Sequence, residues 1–174
     1  SAALVSKRWT LAQRVNQGNE PKCVGASLAQ ELSSEPVVIP ISIPYTTDNI
    51  YNLAQQLDEW PGTDYAGTSL LAGLKACKQY GYIGEYRWAS NVDDVVLSLS
   101  QLGPVIMAGP WLTGMFTATN EGQIKVSGTA GQIGHCYHFG EVDMEKARIY
   151  AEMTWGPHFS VLGWRAWFSF EDVA

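Results

Sequence analysis

Apolar residues recur with helical spacing in four segments of the first hundred residues. In residues 21–32, Val24, Leu28 and Leu32 lie four residues apart, so they share one face of a helix. Pro21 suits the first turn of that helix. The four predicted helices are 21–32, a helix that starts at an Asp48 cap and carries Ile50, Leu53, Ala54 and Leu57, 69–80, and 91–103 with Asn91 as its cap.

After Pro104 the pattern changes to that of β-strands. Residues 105–108 form a short apolar run, and residues 164–170 alternate between two faces. Residues 136–142 and 147–155 are predicted to form a hairpin, joined at 143–146. Helices first and antiparallel strands later predict one α+β domain over residues 1–174. It has a helical half, an antiparallel β half, and a site in the cleft between them.

Composition supports one folded domain and limits its partners. Hydrophobic residues make up 46% of the 174 residues, which is enough for a core. The net charge is −6 and the eleven basic residues are scattered, which disfavours binding to nucleic acid. No run approaches the roughly 20 apolar residues that span a bilayer, so no membrane partner is expected. Seven tryptophans and eight tyrosines favour a well-packed core or an aromatic-lined cleft.

The three cysteines, Cys23, Cys77 and Cys136, are widely spaced and odd in number. That pattern is a poor disulfide framework, and it weakly favours a reducing compartment over secretion. Cys77 lies on an apolar helix face and is predicted to belong to the core.

Cys23 is the candidate nucleophile, because it lies where the first helix begins. Unpaired backbone N–H groups and the positive end of the helix dipole lower the pKa of a thiol placed there. Lys22 could add to this effect. The alternative is that Cys23 is a small buried apolar residue, and the residue alone does not decide between the two.

Short motifs along nearly the whole chain resemble those of the papain superfamily of cysteine peptidases. Gln17-Gly18 precedes Cys23 by the interval found in that family's nucleophile segment. The other matches, in family order, are Gly67-Thr68-Ser69, Gly103-Pro104-Val105, Gly134-His135-Cys136-Tyr137, Met153-Thr154-Trp155-Gly156 and Gly163-Trp164.

The resemblance implies a papain-like fold that hydrolyses peptide or isopeptide bonds through a thioester acyl-enzyme. The substrate would be a peptide or protein, and no cofactor is needed. By the same resemblance Cys23 is the nucleophile, His135 the base and Gln17 a donor to the oxyanion. Trp155 would shield the histidine from water, and Gly67 and Tyr65 would line the substrate side of the cleft.

Met153 stands where the family has the asparagine that orients the histidine. Methionine cannot usefully accept the ring N–H. Glu152 and Thr154 are polar, but on a strand they face the side opposite to Met153. Three interpretations stay open: a Cys–His dyad, another orienting residue, or loss of catalysis. In the last case the chain would be an inactive papain-like domain that serves as a structural or binding module.

A second departure concerns the cysteine that normally precedes the nucleophile by three residues, which is absent here with its disulfide. In this respect the chain resembles the bacterial and bacteriophage branch more than the lysosomal or plant enzymes. The predicted location is therefore the reducing cytoplasm or a virion rather than a secreted one. Residues 111–133, rich in Gly, Thr and Ser, are predicted to form either a mobile flap or a surface for a protein assembly partner.

His135, Cys136 and His138 are close in sequence, which raises a metal site as an alternative. On a strand His135 and His138 point to opposite faces, and Cys136 also points away from His135. The alternation therefore splits the three possible ligands, so zinc is disfavoured and no metal is predicted. His138 is then a packing or surface residue, and His158 is predicted to lie in a loop.

Overall fold

The structure, a computed structural model, describes residues 3–174, with helices mainly in the first part of the chain and strands mainly in the second. This arrangement confirms the predicted α+β class. In chain order the elements are β1 Lys7–Arg8, α1 Cys23–Leu32, α2 Ile43–Leu57, α3 Leu70–Gln79, α4 Val92–Gln101, β2 Val105–Leu112, a 3₁₀ turn Thr113–Phe116, β3 Ala130–Asp143, β4 Arg148–Glu152, β5 Arg165–Ser169 and α5 Phe170–Val173.

The strands form one antiparallel sheet in which β3 is central. It pairs with β4 on one side, and β4 pairs with β5. On its other side β3 pairs with β2 along most of its length and with β1 near its end. Because side chains alternate along a strand, His135 and Tyr137 face one side of β3, whereas Cys136 and His138 face α1.

Two apolar cores support the two halves. One joins α1, α2 and α3 and extends to Cys136 of β3. The other packs α4 against β3, β4 and β5, and its fully buried side chains include Phe139 and Phe168. Removal of this apolar surface from water is the main favourable contribution to folding, and it holds the edges of the cleft in place.

α2 begins at Ile43, so the predicted start at an Asp48 cap is wrong. Ser42 occupies the N-cap position in an extended conformation. Pro44 falls in the first turn, where a missing N–H leaves no hydrogen bond unmade. The cap predicted for α4 is confirmed, since the side chain of Asn91 accepts a hydrogen bond from the backbone N–H of Asp94.

Residues 111–133 form less loop than the sequence predicted. β2 continues to Leu112, and β3 begins at Ala130 rather than at residue 136. Between them Ile124 is fully buried, and its N–H donates to the carbonyl of Trp167 at 2.8 Å. The N–H of Trp167 donates in turn to the carbonyl of Gly122 at 2.9 Å. These bonds join residues 122–124 to β5, whereas a mobile flap or an assembly surface in residues 111–133 stays a prediction.

The N-terminal segment crosses from the sheet to α1 and carries Gln17 to the cleft. Arg8 lies in β1, and its Nε is 3.5 Å from Glu141. Arg14 donates to the buried carboxylate of Glu152 through Nε and Nη2, at 3.2–3.3 Å. Each of these contacts joins residues far apart in sequence, so the segment before Cys23 is positioned by tertiary contacts.

Replacement of Gly25 by alanine should destabilise the protein. A Cβ at residue 25 would lie 2.4 Å from the carbonyl oxygen of Thr47, so α1 and α2 would have to separate. Overpacking of this kind costs about 1–3 kcal/mol. Thermal unfolding of Gly25→Ala measures the loss. Gly84→Ala is the control, because no atom lies within 4 Å of the added Cβ. Equal melting temperatures for the two variants would contradict the close α1–α2 packing.

Candidate active site

A cleft of about 1360 Å³ lies between the helical half and the sheet half. It is lined by the N-terminus of α1, the segment 60–70, β2, β3 and the residues after β4. All six residues predicted for the site line this one cleft: Gln17, Cys23, Tyr65, Gly67, His135 and Trp155. The fold therefore brings together side chains that are separated by more than a hundred residues in sequence.

Cys23 is the first residue of α1, and its side chain is partly buried. Burial raises the pKa of the Cys23 thiol, and nearby backbone N–H groups, including that of Cys136, oppose the shift without reversing it. The predicted lowering of this pKa by backbone N–H groups is present but is outweighed, so the net shift is opposite to the prediction. Desolvation disfavours the thiolate more strongly than the backbone donors favour it.

Lys22 does not provide a free positive charge beside Cys23. Its Nζ lies 2.5 Å from Glu20 Oε2 and donates to Asp48 Oδ1 at 2.8 Å. Hydrogen bonds to Asp48 and Glu20 raise the pKa of Lys22, so the ammonium is stabilised by these carboxylates. Two negative charges compensate the lysine, which is why the contribution to the thiolate predicted for it is not seen.

His135 is buried in an aromatic environment, with 5% of its surface exposed. Trp155 stacks on the imidazole with ring centroids 4.0 Å apart and planes at 18°, which is the covering position expected from the resemblance. The edge of Trp111 meets it at a centroid distance of 5.0 Å and 76°. Burial lowers the pKa of His135 to about 3, so the imidazole is neutral at physiological pH.

Cys23 and His135 line the same cleft, and no hydrogen bond joins their side chains within residues 3–174. Within residues 3–174 neither side chain contributes to the pKa of the other, and His135 Nε2 is buried without a hydrogen-bond partner. Both pKa shifts favour the neutral thiol and neutral imidazole. A thiolate and an imidazolium would stabilise each other, but desolvation disfavours the charged form of each group.

Gln17 is held in one orientation by Thr154. The hydroxyl of Thr154 donates to Gln17 Oε1, and the backbone N–H of Gln17 donates to the carbonyl of Thr154 at 2.8 Å. Because the amide oxygen is held, the NH₂ group points the other way, and one of its hydrogens is donated to the carbonyl of Glu20 at 2.8 Å. A side-chain amide has two N–H donors, so the second can serve a ligand in the cleft.

No polar neighbour of Met153 replaces the missing asparagine. Met153 itself is fully buried in the apolar core of the sheet half. Glu152 binds Arg14, and Thr154 binds Gln17, so both polar side chains beside Met153 are engaged elsewhere. Within the described residues His135 therefore has no side-chain acceptor of the kind that the family uses.

The remaining histidines and cysteines lie where strand and helix patterns predicted. His138 is fully buried on the face of β3 opposite to His135, with Nε2 3.0 Å from Glu31 Oε2 at an angle that makes no hydrogen bond. His158 is exposed, and Cys77 is fully buried in the helical core. Cys136 is buried against α1, where its carbonyl accepts a hydrogen bond from Ser27 at 2.9 Å. Residues 3–174 contain no group of three or more His, Cys, Asp or Glu that could hold a metal ion.

Asp58 shapes the helical wall of the cleft, and the sequence did not single it out. Asp58 accepts hydrogen bonds from the hydroxyl of Tyr65 at 2.6 Å and from that of Thr68 at 2.7 Å. Desolvation alone would raise the pKa of Asp58, but the hydrogen bonds outweigh it and lower that pKa. Desolvation first, and then the bond to Asp58, raise the pKa of Tyr65 to about 12. These partners lie across an irregular loop, so no periodic signal could have identified them.

Among residues 3–174, no helix is long and apolar enough to cross a membrane.

A scan against protein-family models found no match, and a search of curated proteins found none. Solved structures do match. The match to xylellain, a cysteine protease from Xylella fastidiosa, covers 97% of this chain and 81% of that protein, with a TM-score of 0.66 at 14% identity. The match to procathepsin B from Trypanosoma congolense covers 97% of this chain and 73% of that protein, with a TM-score of 0.58 at 10% identity. The chain has the papain-like fold. At these identities the likeness establishes the fold, and the chemistry is argued from the residues.

Alkylation of Cys23 in the free protein should show the pH dependence of an unactivated thiol within this papain-like fold. Because burial raises its pKa and His135 is already neutral, iodoacetamide should label Cys23 slowly at about pH 5 and faster above about pH 8.5. Mass spectrometry of the alkylated peptides measures this. His135→Ala should leave the profile unchanged. Fast labelling at about pH 5 that disappears in His135→Ala would show a preformed ion pair and contradict the neutral resting state.

Proposed function

We propose that the protein is a papain-like cysteine peptidase, with Cys23 as nucleophile, His135 as general base and Gln17 as oxyanion donor. The observation that carries the proposal is that these three side chains line one cleft of a papain-like fold, with the Gln17 amide held by Thr154. Three groups of the required types converge there, and each is positioned by a different element: the N-terminal segment, α1 and β3.

The proposed reaction passes through a thioester. Sγ of Cys23 attacks the carbonyl carbon of the peptide bond while His135 takes the thiol proton. The oxyanion that forms accepts hydrogen bonds from the free N–H of Gln17 and from the backbone N–H of Cys23. The intermediate collapses as His135 returns the proton to the leaving amine. Water, deprotonated by His135, then hydrolyses the thioester, and Cys23 is regenerated.

Substrate binding is proposed to complete the Cys–His pair. In the free protein both groups are neutral, because burial raises the pKa of Cys23 and lowers that of His135. A peptide in the cleft excludes water and brings the carbonyl carbon to the thiol, so proton transfer to His135 accompanies attack instead of preceding it. The developing thiolate and imidazolium then stabilise each other at short range.

The lining of the cleft favours uncharged, apolar peptide segments. Among the described lining residues the only Asp, Glu, Lys or Arg is Glu20, and its carboxylate is paired with Lys22 at 2.5 Å. Trp60 and Phe116 stand on opposite walls and are 47% and 59% exposed, which leaves aromatic surface for a ligand. A charged substrate side chain would lose its hydration in this cleft without gaining a partner.

The finer predictions from the sequence stay predictions. They are hydrolysis of isopeptide bonds, the bacterial and bacteriophage branch, a reducing or virion location, and a protein assembly partner. The absence of nucleic-acid and membrane partners also stays a prediction, which rests on the scattered basic residues and on composition.

A peptide electrophile tests the proposal directly. A dipeptidyl vinyl sulfone with apolar side chains should label Cys23 at about pH 7 at least about 100-fold faster than iodoacetamide does, because only the peptide assembles the pair. His135→Ala should remove the advantage, whereas Cys77→Ala should keep it, since Cys77 lies in the helical core. Equal labelling by the two reagents, with no turnover of apolar fluorogenic peptides, would overturn the proposal.

An inactive domain that binds peptides is the second candidate, and Met153 is the observation that favours it. Without an acceptor for its buried Nε2, His135 lacks the usual means of staying oriented. In that case the wild-type protein would bind apolar peptides in a calorimetric titration with the same affinity as Cys23→Ala. It would neither react with the vinyl sulfone nor cleave peptides.

Thr154→Val should impair turnover through Gln17. Valine keeps the shape of threonine but cannot donate to Gln17 Oε1, so the oxyanion donor loses its orientation. We expect kcat to fall roughly tenfold, the effect of one hydrogen bond, with KM unchanged. Gln17→Ala should cost about 100-fold.

The double variant separates positioning from general damage. If Thr154 acts through Gln17, adding Thr154→Val to Gln17→Ala should lower kcat no further. Thr10→Val, at an exposed position far from the cleft, is the matched control. An equal loss from Thr154→Val in both backgrounds would show that threonine does not act through Gln17.

A further inference from the structure

Trp111 is the centre of the aromatic cluster around His135. Its indole makes edge contacts with four rings, and the residue is only 2% exposed. The four contacts, with their centroid distances, are His135 at 5.0 Å, Trp155 at 5.3 Å, Tyr137 at 5.5 Å and Phe116 at 6.3 Å. A residue that touches both the imidazole and the indole stacked on it can control the orientation of the imidazole.

An irregularity in the sheet places Trp111 there. β2 and β3 pair regularly through Gly109–His135 and Pro110–Gly134, and the register then shifts before Leu112 pairs with Ala130. Trp111 is the residue at the shift. Such bulges disrupt the ladder locally and re-aim a side chain, and they are common beside active sites.

Two buried polar atoms lie in this cluster without partners. Within the described residues neither Trp111 Nε1 nor His135 Nε2 has a hydrogen-bond partner. Other indoles of the same chain are paired: Trp9 Nε1 donates to the carbonyl of Leu99 at 2.7 Å, and Trp167 Nε1 to that of Glu121 at 3.0 Å. An unpaired buried donor is costly, so the site around Trp111 and His135 requires an acceptor.

The base role of His135 decides which kind of acceptor fits. To take a proton from Cys23, the ring nitrogen that faces the thiol must be unprotonated, so the neutral ring must carry its hydrogen on the other nitrogen. The buried and unpartnered nitrogen is Nε2, which then becomes a donor like Trp111 Nε1. An indole cannot accept from it, and the Met153 thioether accepts too weakly. Water is small and accepts two hydrogen bonds at once.

We propose that Trp111 is a positioning residue for His135. The indole N–H of Trp111 and the Nε2–H of the imidazole both donate to one shared buried water. This water replaces the acceptor that is absent at Met153. The water keeps the hydrogen of the neutral ring on Nε2 and leaves the other nitrogen free to act as base. The assignment of the hydrogen to Nε2 and its catalytic consequence both rest on the proposed peptidase function, whereas the measurement of that hydrogen by NMR requires no turnover.

The first test follows the imidazole itself by ¹⁵N NMR of the folded protein, which requires no turnover. In the wild type, His135 should carry its hydrogen on Nε2. Trp111→Phe keeps an aromatic ring but removes the N–H, and it should shift His135 toward a mixture of the two neutral forms. Trp9→Phe is the matched control, because it removes a partly buried indole hydrogen bond at a residue that does not line the cleft. Identical His135 resonances in wild type and Trp111→Phe would overturn the proposal.

The second test restores an acceptor with Met153→Asn. We expect Trp111→Phe alone to lower kcat about tenfold, the effect of one hydrogen bond. In the Met153→Asn background Trp111→Phe should have little further effect on kcat or on the Nε2 resonance, because asparagine then accepts from the ring directly. Equal effects of Trp111→Phe in both backgrounds would show a packing role only and contradict the shared water.

The two tests separate this proposal from the peptidase function. If apolar peptides are not cleaved but Trp111→Phe changes the Nε2 resonance of His135, the peptidase function fails and the positioning role stands. If peptides are cleaved and the resonance is unchanged, the positioning role fails alone.

Discussion

The chemistry of the cleft depends on the burial of the His135 imidazole, whose Nε2 has no side-chain acceptor among residues 3–174. His135 lies beneath Trp155, with 5% of its surface exposed, and the fully buried Met153 stands where the family has an acceptor. Removal from water disfavours the charged ring and brings its pKa to about 3. The same desolvation raises the pKa of Cys23, so the free protein holds an uncharged pair. A charge separation in this cleft has to overcome the desolvation of both groups.

The oxyanion donor depends on contacts that connect the N-terminal segment to the sheet. Arg14 binds Glu152 at the end of β4, and Thr154, two residues beyond the end of the strand, holds both the backbone and the side chain of Gln17. Glu152 is buried, and removal of Arg14 would take away its hydrogen-bonded cation and leave Arg165 and Arg8 at 3.8 and 3.9 Å. The buried ion pair and the Gln17 contacts therefore act as one unit that sets the position of the oxyanion donor.

Local signals in the sequence were sufficient for the class of fold and for the principal residues. Helix spacing placed Cys23 at the start of α1, and strand alternation placed His135 and His138 on opposite faces of β3. Where the sequence failed at the site, contacts between distant residues were involved. Lys22 is paired with Asp48 on another helix as well as with the nearby Glu20, and the pKa of Cys23 follows burial that no local pattern reveals. The same applies to Asp58, which binds a loop, and to Trp111, which a bulge directs toward His135.

Titration of the His135 ring in the free protein, followed by NMR from about pH 7 to about pH 4, tests the neutral resting pair most directly. We expect the His135 resonances to show no protonation over this range, because burial holds its pKa at about 3. A His135 ring that is already protonated at about pH 7, or that titrates near the ordinary value of about 6.5, would contradict the neutral pair and show that the free protein already holds its charged form.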